Sequence, residues 1–194
     1  MADSESSNPQ QSQKSLADQS KEKILFTAMK LFARNGYHKT PAASIAKAAN
    51  ISHGLLFYHF GSKEKLLQAI VNYIVAKIEG VVEVDHDLPP TEGLGALCRN
   101  FKQSLQDDRN FWELYHSLIF QPSLKGEIVE PLNGVFEEYR KELVKVFEKL
   151  GYLTPSDTML QFEAMRHGIM VAFLIQGADY PIDKLFRNLS ERFG

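Results

Sequence analysis

Sulfur chemistry is nearly absent from this chain. Cys98 is the only cysteine in 194 residues, so no intrachain disulfide can form and no thiolate cluster can hold zinc. That suits a reducing compartment, and a cytoplasmic location is expected. Long apolar runs are missing too. None reaches the ~20 residues that a membrane-spanning helix needs, so no membrane partner is expected. The opening residues are acidic and polar, unlike a secretory signal. No stretch alternates convincingly as a strand, and no internal repeat is present. HExxH, GxSxG and P-loop signatures are absent, and His53, His59, His116 and His167 are scattered. An enzyme is therefore not expected, nor a metal or cofactor.

What remains is ordinary globular material, 44% hydrophobic, with a net charge of -2. The average hides a segregation. Residues 14–70 carry nine Lys/Arg against three Asp/Glu, while residues 71–194 carry thirteen against nineteen. A basic segment joined to an acidic remainder fits one face for phosphates and a body that avoids them, although so modest an excess also arises by chance.

The apolar spacing is helical throughout, so the fold class is all-α. Residues 1–16, rich in Ser, Gln and Asn, are expected to form a disordered tail. Ser20 is the expected cap of a first helix carrying Ile24, Leu25, Ala28, Leu31 and Phe32, which Gly36 ends. Thr40–Pro41 opens a second helix with Ile45, Ala46 and Ala49 inward. Asn50 tolerates a left-handed turn, and Ser52 caps a third helix anchored by Leu56 and Phe60. Two short helices around a tight turn are how a helix-turn-helix presents a helix to a DNA groove.

Ser62 starts a fourth helix that runs to about Val81. A break through Asp85–Thr91 leads to a fifth helix with Leu94, Leu97, Cys98, Phe101 and Leu105. A sixth follows with Phe111, Trp112, Tyr115, Leu118 and Ile119. Residues 125–150 form a long seventh, where Pro131 predicts a kink or a late start. Ser156 is the expected cap of an eighth helix reaching Gly177, and a ninth ends near Phe193.

The text Ile24–Leu25–x–x–Ala28–x–x–Leu31–Phe32–x–x–x–Gly36–Tyr37–x–x–Thr40, then Ile45–Ala46–x–x–Ala49–x–Ile51–Ser52–x–Gly54–x–Leu56–x–Tyr58–His59–Phe60–x–Ser62–Lys63–Glu64–x–Leu66, resembles the TetR family of bacterial transcriptional regulators. The match covers residues 21–70; beyond about residue 80 only helix number and length agree. The resemblance implies a homodimer of subunits with nine or so helices, paired through the eighth and ninth, which binds operator DNA, usually as a repressor. It implies three segments: the tail 1–16, a helix-turn-helix domain 17–64, and an effector and dimerisation domain 65–194. It also implies that Thr40 lies near a phosphate and that Ser52, His53, Gly54 and Leu55 begin the recognition helix facing base edges. Phe57, Tyr58 and His59 line that helix, and Lys63 meets a phosphate. Asn50, Leu55 and Phe57 stand where Gly, Thr and Tyr are frequent in the family, which bears on operator sequence.

The second half is rich in aromatics on different helices. Core packing explains most of them. A pocket for a small, largely apolar effector explains their clustering with polar groups somewhat better, and the expected lining is Phe101, Leu105, Trp112, Tyr115, His116, Ile119, Phe136, Tyr139 and Arg166. Gln103 and Asn133 are further polar candidates, and His167 faces either the pocket or a partner subunit. Ala164, Gly168 and Ala172 repeat every four residues as a ridge that admits another helix. A constitutive DNA binder, or a helical interaction module without an effector, stays open as the alternative.

Overall fold

The computed structural model describes residues 16–194, so the tail expected over residues 1–16 lies outside the described residues apart from Leu16. The described residues hold nine α-helices: α1 (Leu16–Asn35), α2 (Ala42–Ala48), α3 (His53–Phe60), α4 (Lys63–Val82), α5 (Pro90–Asp107), α6 (Arg109–Ile119), α7 (Lys125–Lys149), α8 (Pro155–Gln176) and α9 (Ile182–Phe193). A 3-10 turn, Pro122–Leu124, joins α6 to α7. None of the described helices is long and apolar enough to cross a membrane.

Ile24, Ala28, Met29 and Phe32 form the fully buried stripe of α1. The helix begins earlier than its sequence suggests: Ser20 lies inside it rather than capping it. A Ser in a helix is tolerated where flanking residues such as Leu16 and Ala17 are good helix formers. Gly36, at φ +84°, ends the helix as expected, and its N–H donates to the Phe32 carbonyl at 2.9 Å.

Small residues let α2 approach its neighbours. Ile45, Ala46 and Ala49 are buried. The chain then reverses at Asn50, whose φ of 54° is the one left-handed non-glycine among the described residues. Asn bears this conformation better than a branched residue because its short polar side chain bonds locally. Ser52 accepts a hydrogen bond from the Leu55 N–H at 3.1 Å and Ser62 one from the Lys65 N–H at 3.2 Å, so both predicted caps form. Leu56 and Phe60 turn inward.

Around this unit the remaining helices form a bundle. α4 packs on α1, α5 and α7; α5 lies along α9; α7 and α9 both pack on α8; α6 leans on α1. One apolar core runs without interruption from Ile24 to Phe193. Proline marks the starts of α5 and α8, where its missing N–H costs nothing. Consequently Thr154, not Ser156, precedes the first turn of α8. α7 begins at Lys125 with Pro131 already inside it, so the late start does not occur.

Replacing Asn50 tests the turn without disturbing the core, since its side chain is exposed. Asn50→Gly should leave stability within about 0.5 kcal/mol, whereas Asn50→Val should lose roughly 1–2 kcal/mol. Urea unfolding of both variants measures the difference.

Candidate functional site

Two features bear on function: the exposed side of α3 with its surroundings, and a cavity among α4 to α8.

On α3 the inward pair Leu56 and Phe60 leaves Ser52, His53, Gly54, Phe57 and Tyr58 exposed, with Leu55 and His59 half-buried. Tyr58 is 83% exposed, so packing does not hold it. His53 and Phe57 lie against each other, ring centroids 4.7 Å apart. A Cβ added at Gly54 would meet only the Ser52 hydroxyl, at 4.0 Å. Nothing inside the protein requires glycine there, at a helix cost of about 1 kcal/mol. Lys39, Lys47 and Lys65 are exposed nearby. On α2, Ser44 and Lys47 are exposed.

Two expected contacts sit differently. Thr40 is 1% exposed, and its hydroxyl bonds the Gly36 carbonyl at 2.8 Å, with Leu31 O at 3.3 Å. It closes the turn after α1 rather than capping α2, whose N-cap is Pro41 without a side-chain bond. Lys63 also turns inward. Its ammonium donates to the Tyr37 carbonyl at 2.7 Å and lies 4.2 Å from the Tyr37 ring centroid. Both side chains bond carbonyls at and just beyond the end of α1, a demand that sequence spacing does not display.

The cavity encloses about 440 Å3, within the range of small-molecule sites, roughly 300–1,000 Å3. α4 lines it with Ile78 and Val82, α5 with Phe101, α6 with Trp112 and Tyr115, and α7 with Phe136 and Arg140. α8 adds Leu160, Glu163, Ala164, Arg166, His167 and Met170. Five of the nine residues expected to line a pocket meet here: Phe101, Trp112, Tyr115, Phe136 and Arg166. The other four stand apart. Leu105 is fully buried in the core and Ile119 packs on its edge. His116 bonds the Trp112 carbonyl through Nδ1 at 2.8 Å, and Tyr139 lies behind Arg166. Gln103 and Asn133 are exposed. The α4 residues and most of α8 were missed because an apolar residue facing a cavity has the same spacing as one facing a core.

Trp112 donates its indole N–H to Ser104 Oγ at 3.1 Å and stacks obliquely on Phe101 with centroids 5.1 Å apart. Burial pushes the Tyr115 hydroxyl up to about 12, and does the same to the Cys98 thiol. It also lowers His116 and, together with the neighbouring His116 and Arg166, His167. Among the described residues no group of three or more His, Cys, Asp and Glu is placed to hold a metal ion.

Two helices around a left-handed turn, one with a free face and exposed lysines beside it, define a helix-turn-helix DNA-binding regulator. Residues 24–70 match the model for bacterial regulatory proteins of the tetR family. The HTH-type transcriptional regulator LmrA of Bacillus subtilis is 35% identical over 136 residues, 67% of this chain and 70% of that protein. The negative transcriptional regulator IcaR of the icaADBC biofilm operon in Staphylococcus epidermidis is 28% identical over 66% of this chain and 69% of its own length. A TetR-like regulator from Rhodococcus sp. RHA1 shares the fold at a TM-score of 0.69 and 20% identity, over 93% of this chain and 97% of that one. The chain belongs to the TetR family of bacterial regulatory proteins: it is a transcription regulator and not an enzyme.

Buried and exposed residues of the surface should separate cleanly in stability. Thr40→Val strands the Gly36 carbonyl and should cost about 1–3 kcal/mol, while Tyr58→Ala should stay within about 0.5 kcal/mol, both by urea unfolding. The histidines give a pH dependence. Their pKa lies below the ordinary 6.5 in the folded state, so below that pH the unfolded chain binds more protons and stability falls as the pH drops. Wild type should lose more stability between pH 7.5 and 5.5 than the His116→Asn, His167→Asn double variant.

Proposed function

We propose that the protein is a homodimeric, cytoplasmic repressor that leaves its operator when a small, largely apolar molecule occupies the cavity. The observation that carries this reading is a link from the cavity wall to the DNA-binding unit. Gln121, just beyond α6, donates its amide to the Phe32 carbonyl at 2.7 Å and to Ala33 O at 2.6 Å. Those carbonyls end α1. The same α6 carries Trp112 and Tyr115 into the cavity. A ligand that moves α6 therefore pulls on α1, and α1 supports α2 and α3.

In this reading the chain divides near residue 64. His53, Gly54, Leu55, Phe57 and Tyr58 read the major groove, His59 flanks them, and Ser52 and the exposed lysines 39, 47 and 65 meet phosphates. Thr40 and Lys63 shape the unit from within. The description of IcaR as a negative regulator supports repression. Pairing of two copies follows from the need to read half-sites about one helical turn apart, since one unit alone buries too little DNA. The exposed side of α8 suits that pairing: Leu160, Met165 and Ile175 are exposed apolar residues, and Ala164 and Gly168 lie exposed between them. Leu160, Ala164 and His167 also line the cavity, so a second copy on this face would cover its mouth.

A hundredfold loss of operator affinity requires about 2.7 kcal/mol of coupling, and only from a ligand that prefers the released state. A panel of small apolar and amphipathic molecules, screened through Trp112 emission, tests this on an operator selected from random duplexes. Members that alter the emission should release the operator, and Gln121→Met should blunt the release. Binding in the cavity with operator affinity unchanged throughout the panel would leave a constitutive DNA binder. Tyr58→Ala should weaken the operator complex by about 1–3 kcal/mol. Because a Cβ at Gly168 meets nothing within 4 Å, Gly168→Trp should fold yet sediment as a monomer where wild type sediments as a dimer.

A further inference from the structure

Arg166 is the odd residue of the cavity. It is 5% exposed, on α8, among aromatic rings. Its guanidinium carbon lies 4.2 Å from the Phe101 ring centroid and 5.7 Å from that of Tyr139. Its nearest carboxylate is Glu163, at 3.8 Å, beyond hydrogen-bond distance. Glu163 is moreover committed elsewhere, accepting from Arg140 Nε at 2.8 Å. Arg166 Nε has no hydrogen-bond partner, and neither does the buried Tyr139 hydroxyl beside it. Arg109 shows the usual arrangement for a partly buried arginine in this chain, with its donors spent on Glu113 at 2.7 Å and the Leu174 carbonyl at 2.6 Å.

The charges on the wall do not cancel. Arg140 and Arg166 face one carboxylate, Glu163. The cavity thus holds one uncompensated positive charge and a free donor. A buried guanidinium in that condition is expensive unless something else completes it. A cationic ligand fits poorly, because the single carboxylate already serves one arginine and faces the other.

We infer that the effector is an amphipathic monocarboxylate whose carboxylate accepts from Arg166 while its apolar body lies on Phe101, Trp112, Tyr115 and Phe136. This rests on the effector reading above and adds the head group to it. One carboxylate brings the wall to neutrality and completes the open donor. The faces of these rings set no directional demand, so a straight-chain or an aryl body fits against them.

The test uses Trp112 emission on the full chain. The probes are straight-chain and aryl-substituted monocarboxylates, each paired with the primary amide and the primary amine of the same skeleton. The acids should bind at least about tenfold tighter than either counterpart, as expected of a charge-assisted bond. That preference should vanish in Arg166→Met and return in part in Arg166→Lys. Arg166→Met should also keep or raise the thermal midpoint of the free protein, because an apolar side chain replaces a poorly paired buried charge; a purely structural arginine would lower it. Amides or amines that bind as tightly as the acids overturn the carboxylate assignment while leaving the effector reading intact. An acid preference unchanged in Arg166→Met overturns it as well. If no probe of any head group alters the emission, the carboxylate assignment falls, and the operator-release screen decides the effector reading separately.

Discussion

The last turn of α1 is the constraint around which the structure is organised. A helix end leaves carbonyls without partners, and here those partners come from four different places in the chain. Gly36 and Gln121 answer Phe32, Gln121 also answers Ala33, Thr40 answers Gly36, and Lys63 answers Tyr37. The donors belong to the approach to α2, the start of α4 and the exit of α6. A small helix-turn-helix unit is thereby fastened to the bundle by hydrogen bonds as well as by apolar contact.

The two halves of the molecule use packing differently. In α1 to α3 the small residues Ala28, Ala46 and Ala49 bring helices close, and the interior around them is filled. Among α4 to α8 large rings hold the helices apart and a cavity of about 440 Å3 persists. Protein interiors are ordinarily close-packed, and empty volume lowers stability. The wall of this cavity holds Arg166, whose Nε has no hydrogen-bond partner.

The outer side of α8 links two roles. Its buried side supplies Phe162, Arg166, Ile169 and Met170, while Leu160, Met165 and Ile175 stay exposed without a partner in the single chain. Apolar surface of that kind on one helix is costly in water and is relieved by a second molecule. Residues of the same helix also line the cavity.

The sequence by itself determined the all-helical class, the family, the turn at Asn50, the caps at Ser52 and Ser62 and the inward anchors Leu56 and Phe60. These are local matters: each depends on a residue's backbone preference or on spacing within a few positions, and periodicity reports both. Tertiary structure decided the rest. It turned Thr40 and Lys63 inward, because the carbonyls they satisfy are exposed only once the chain has folded. It placed Leu105 in the core and Phe101 at the cavity, although both fall on the same apolar stripe of α5. It left Arg166 half-answered, by giving Glu163 to Arg140, a residue 23 positions away in the chain. Helical spacing tells which side of a helix is apolar, but whether that side meets a neighbour, a void or a second subunit is set by where the other helices come to rest.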